Sequence, residues 1–133
     1  MHYLLDTNIV SDLLRHPQGR ITERIQQVGE ATVRTSVIVA AELRFGARKL
    51  GSPRLTDRLE AVLCALEIAP FEAPADAVYG QIRAQLEQAG TVIGGNALLI
   101  AAHALVLGDT VVTDNEREFR RVERLQVENW LRG

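Results

Sequence analysis

The chain has 133 residues, with 15 Lys and Arg against 17 Asp and Glu for a formal net charge of −2. This fits one domain over residues 1–133 with a core that needs no covalent staples, and it excludes a global basic field for nucleic acid, leaving at most a local basic rim. Aromatics at 5% exclude a base-stacking platform, and the lone Cys64 excludes an intrachain disulfide and fits a reducing cytoplasm.

No apolar run reaches the ~18 residues of a membrane span. Asp6 interrupts the start too early for a signal peptide, so a cytoplasmic location is expected. Residues 2–6 read as a buried strand. Thr7 or Asn8 can cap a helix from Ile9 to Arg15, which stops before Pro17. Ile21–Val28 has helical spacing and ends at Gly29, and Ala31–Thr35 is strand-like. Val37–Leu50 is an amphipathic helix closed by Gly51, and Leu55–Leu66 is a further helix. Ile38, Val39, Leu43 and Leu55–Leu66 hold more apolar surface than a small sheet needs. A short strand over Ile68–Phe71 leads to a helix at Ala75–Ala89. Asn96 can cap an apolar helix from Ala97 to Leu107, stopped by Gly108. A strand at Thr110–Thr113, a short helix at Glu116–Val122 and a last strand at Leu125–Val127 complete the chain. Alternation of strand and helix predicts an α/β fold, with a central parallel sheet flanked by helices on both faces.

Chemistry-bearing residues gather at strand ends. Asp6 closes the first strand, where ligands bind in open parallel sheets, although an Asp there can also simply cap a helix. Glu42 sits in the apolar helix Val37–Leu50. A charge there is costly unless paired, metal-bound or turned to solvent beside Arg44 and Arg48. Asp114 follows the Thr110–Thr113 strand with Glu118 one turn on, and Asp114 can instead cap that short helix. Carboxylates at strand ends suit hard divalent cations, and such cations serve phosphoryl chemistry. The residues therefore point to a metal-dependent phosphodiesterase or nuclease. No G-x-G-x-x-G follows the first strand and no G-K-[ST] occurs, which excludes dinucleotide and P-loop sites. His2, His16 and His103 have no zinc spacing, and His103 reads as a helix-packing residue. Arg44, Arg83 and Arg117 are candidate phosphate contacts or solvated helix faces.

Four blocks carry a resemblance: Leu5-Asp6-Thr7-Asn8, Ala41-Glu42-Leu43-Arg44-Phe45-Gly46, Ile93 through Ala104, and Val112-Thr113-Asp114-Asn115-Glu116-Arg117-Glu118-Phe119, with Val127-Glu128-Asn129-Trp130 closing the chain. In this order the chain resembles PIN-domain ribonucleases, and most closely the VapC-type toxins of bacterial toxin–antitoxin pairs. The resemblance implies Mg²⁺- or Mn²⁺-dependent RNA cleavage, a homodimer, and neutralisation by a VapB-type antitoxin, through which alone operator DNA would be bound. It assigns catalytic roles to Asp6, Glu42 and an acid from Asp114 or Glu118. It places metal ligands at Asp6, Asp114 and the position of Ala97. There the chain departs from the pattern, because a methyl group stands where an aspartate is expected directly after Asn96. Two readings stay open: an engineered exchange that makes a toxic enzyme tolerable, or a naturally inactive module that still binds an antitoxin.

Overall fold

The structure is a computed structural model that describes residues 1–132. Its elements run β1 (Tyr3–Leu5), α1 (Thr7–Arg15), α2 (Arg20–Val28), β2 (Val33–Ser36), α3 (Val37–Leu50), α4 (Pro53–Ala65), β3 (Glu67–Ala69), α5 (Ala75–Ala89), α6 (Gly95–Leu107), β4 (Thr110–Val112), α7 (Glu116–Phe119) and β5 (Val127–Glu128). All strands pair in parallel in the order β3-β2-β1-β4-β5. Consecutive strand residues face opposite sides of a sheet. Leu4 and Leu5, and likewise Val111 and Val112, are all 0% exposed, so helices cover both faces. Among the described residues, no helix is long and apolar enough to cross a membrane.

Local chemistry sets the boundaries, and several differ from expectation. The cap of α1 is Asp6 rather than Thr7 or Asn8: its carboxylate accepts from the Thr7 amide at 2.8 Å. The cap position of α6 is Gly94, so Asn96 lies inside the first turn and caps nothing. Residues Glu30–Thr32 form a 3-10 turn instead of the start of a strand, held by the Thr32 hydroxyl donating to the Gly29 carbonyl at 2.9 Å. β3 ends before Pro70, which lacks the N–H that a longer strand would need. α7 stops at Phe119, and the left-handed Arg124 (φ 68°) separates it from β5, which starts two residues later than the sequence suggests.

The main core lies between the sheet and its helices. A second cluster of Leu14, Ala40, Ala47, Leu59 and Leu63 joins α1, α3 and α4. The apolar surplus assigned to Ile38, Val39, Leu43 and the α4 segment is largely used inside the fold: Val39 is fully buried, and Ile38 and Leu43 pack on the cores. The exposed large apolar side chains are Met1, Val37, Phe45, Leu50 and Val92.

Candidate active site

Strand order turns back on itself between β1 and β4: one run of strands grows outward from β1, the next from β4. Crevices at the carboxyl ends of strands flanking such a switch point bind ligands in open α/β sheets. Asp6 leaves β1 there, and its amide donates to Val112 of β4 at 2.9 Å.

Asp6 is 7% exposed and densely bonded. Besides the Thr7 amide, it accepts from the Thr113 hydroxyl at 2.7 Å and from the Asn8 amide group at 3.4 Å. Burial pushes its carboxyl up from the ordinary range. The Thr113 and Thr7 donors hold it down, and the negative charge of Glu118 pushes it up again. Glu118 is linked to Asp6 through intervening groups: the Thr113 hydroxyl donates to Asp6 and accepts from the Asn115 amide at 2.9 Å. The Glu118 carboxylate accepts from the Asn115 side chain at 2.7 Å and the Gly94 amide at 2.8 Å, and both donors lower its pKa.

Asp114 and Glu42, the remaining expected acids, are exposed. Asp114 turns outward, accepting from Asn129 at 3.0 Å and lying 3.7 Å from Arg132. Its own amide donates to the Asn8 side chain at 3.0 Å. Glu42 is exposed on α3. Ala97, half-buried in the first turn of α6, packs against the main core and offers no donor. Among the described residues, no three of His, Cys, Asp or Glu stand close enough to share a metal ion. Of the candidate phosphate contacts, Arg44 is paired with Glu60 and Arg83 with Glu87 and Tyr79, while Arg117 is exposed.

Asn8, Thr113, Asn115 and the Gly94 amide escape a reading based on acids. Their signal is faint: a polar residue beside each acid, and a glycine pair ahead of α6. An apolar groove lies away from this site. It is a cavity of about 420 Å³ between α1, α2 and α4, lined by Leu13, Ile25, Ala61, Val62 and Leu66 with Arg58 and Glu30 at its rim.

A family model described as PIN domain matches residues 3–125. The chain belongs to the PIN-domain family. This PIN domain is 40% identical over 132 residues to Ribonuclease VapC2 of Rickettsia felis, with 98% of each chain covered. It is 34% identical over 131 residues to the tRNA(fMet)-specific endonuclease VapC of Salmonella typhimurium, again covering 98% of both. Its fold superposes with a TM-score of 0.90 on a chain of the crystal structure of VapBC2 from Rickettsia felis bound to a promoter DNA fragment. That match has 37% identity and covers 98% of this chain and 99% of the other. Within the family, the PIN domain is therefore of the VapC type.

Proposed function

We propose that this chain is built as a divalent-metal-dependent endoribonuclease toxin, and that Ala97 leaves it inactive or strongly weakened. The observation that carries the reading is the hydrogen-bonded chain that runs from the buried Asp6 at the switch point through Thr113 and Asn115 to Glu118. Two carboxylates joined by this chain, one of them opposed by burial, form a donor set that a hard cation would relieve. Mg²⁺ is commonly held by one or two carboxylates while keeping most of its waters. Asp6 and Glu118 fit that role for Mg²⁺ or Mn²⁺, and an aspartate at position 97 would complete the set. When bound, the cation supplies an activated water and neutralises charge developing on an RNA phosphate. The chain's own part is to hold the carboxylates: Thr7, Thr113 and Asn8 fix Asp6, and Asn115 and Gly94 fix Glu118.

The relatives named as ribonucleases and endonucleases make this a PIN-type ribonuclease of the toxin–antitoxin class. The partner is a VapB-type antitoxin, as in the related complexes. Operator DNA would be reached only through that antitoxin, and a homodimer in the cytoplasm is the proposed form.

The test compares this chain with Ala97→Asp for cleavage of RNA and of single-stranded DNA in Mn²⁺. The expected result is RNA cleavage by Ala97→Asp and almost none by this chain. Equal rates would refute inactivation by Ala97, and cleavage of DNA alone would redirect the substrate class. The second reading, an inactive module that binds an antitoxin, is favoured by Ala97 itself. It would stand if Ala97→Asp stayed inactive while antitoxin binding persisted.

A further inference from the structure

We infer that Asn115 is the positioning residue that ties Glu118 to Asp6 by way of Thr113, acting through its side chain rather than as a helix cap. Asn115 occupies the N-cap position of α7, where asparagine is favoured because its side chain can accept from helix amides. Here the side chain makes no capping hydrogen bond. Its Nδ2 instead donates to Glu118 Oε2 at 2.7 Å, and a carboxylate can only accept, so the amide orientation is fixed by chemistry.

The backbone of the same residue carries the other half of the link. The Asn115 amide donates to Thr113 Oγ1 at 2.9 Å, and that hydroxyl donates to Asp6 Oδ2 at 2.7 Å. A single hydrogen-bonded chain thus runs Asp6, Thr113, Asn115, Glu118, and on to the Gly94 amide at the start of α6. The link matters because α7 has only four residues, too few to hold an orientation by helix formation alone. Phe119, 1% exposed, anchors its far end in the core. Asn115 sets the end that faces the site. Without it, Glu118 keeps one tether, the Gly94 amide.

The consequence for metal rests on the proposed metal site, but the geometry does not. The experiment uses the full chain and its Ala97→Asp form, with Asn115→Ala, Glu118→Gln and the double variant of each. Amide exchange at Gly94 is read by NMR without metal, and Mn²⁺ affinity is read by the signal of the free hydrated ion. Asn115→Ala should speed Gly94 exchange several-fold while leaving amides near Phe119 protected. It should also weaken Mn²⁺ about ten-fold, the usual scale for losing a group that orients a ligand. In the Glu118→Gln background it should weaken Mn²⁺ no further. Unchanged Gly94 exchange, or an equal Mn²⁺ loss with and without Glu118, would overturn the inference. Absence of Mn²⁺ binding in every variant would refute the metal reading instead, and Gly94 exchange would then decide the role of Asn115.

Discussion

At the scale of the residue, Asp6 decides the most. Its pKa is raised above the ordinary 3.8, chiefly by burial. A group raised in the fold contributes stability that is fully present below 3.8 and lost as pH rises through the folded value. At neutral pH the ionised Asp6 therefore costs stability unless a cation compensates it. Asp6→Asn keeps an acceptor for the Thr7 amide and removes the charge. In EDTA it should melt a few degrees higher than the parent by differential scanning fluorimetry, and Mn²⁺ should no longer raise its melting temperature. A lower melting temperature in EDTA would show that the buried charge is already satisfied. Asp6 was legible in the sequence because it ends an apolar strand. Its link to Glu118 was not: nothing in the spacing says that Glu118 turns toward Asn115 and Gly94 while Asp114 turns toward Asn129 and Arg132, since both follow β4 closely.

At the scale of the element, His103 ties three pieces together. Its ring lies between the Ser36 hydroxyl at 2.9 Å and the Pro70 carbonyl at 3.0 Å, with Phe71 edge-on at 5.2 Å. A carbonyl can only accept, so Nε2 carries the proton and Nδ1 accepts from Ser36. Ser36 also accepts from the Ile38 amide and so caps α3. α6 is in this way pinned to the end of β2, the start of α3 and the segment after β3. Burial lowers the His103 pKa below 6.5. Above 6.5 the ring is neutral in both states. As pH falls below 6.5 the unfolded chain binds the proton first, and stability drops until the folded value is passed. His103→Gln should flatten that segment of a urea-stability profile. His103→Ala, which orphans the buried Ser36 hydroxyl, should cost about 2 kcal/mol at pH 7.5. A parent profile as flat as that of His103→Gln would remove the linkage.

At the scale of the whole molecule, the sheet is locked at the end away from the site. Arg34 of β2 grips Asp109, just before β4, through two bonds of 2.8 Å and reaches Glu67 of β3 at 3.2 Å. Their exposures, 15% for the Arg34 and 1% for the Asp109 side chain, make this a largely buried pair. Breaking such a pair strands a charge, whereas replacing both partners can be nearly neutral. Arg34→Met should cost about 3 kcal/mol or more by chemical denaturation, and Arg34→Met with Asp109→Leu should recover most of it. A single variant as stable as the double would sink this account. The proposed seat for an amphipathic segment of the antitoxin is the open apolar groove between α1, α2 and α4. Ala61 is exposed on its wall, so Ala61→Glu should weaken antitoxin binding at least ten-fold without lowering the melting temperature; unchanged affinity would move the contact elsewhere. Homodimerisation is checked by sedimentation over a range of concentrations, and a monomer throughout would count against it.

The sequence by itself determined the alternation of strands and helices, the parallel sheet, the positions of the glycine stops and the family. The first three follow from periodicity and local backbone preference, which act over a few residues, and the family from four blocks of residues in a fixed order. Only the tertiary structure decided that β1 and β4 are neighbours, and hence that Asp6 and Glu118, far apart in the chain, belong to one hydrogen-bonded chain. It also decided that Thr113 and Asn115 carry the link between them, and that Glu42 and Asp114 face outward. Side-chain direction at a strand end depends on which partners the packing brings within hydrogen-bonding reach, and that is a property of contacts distant in sequence rather than of local pattern.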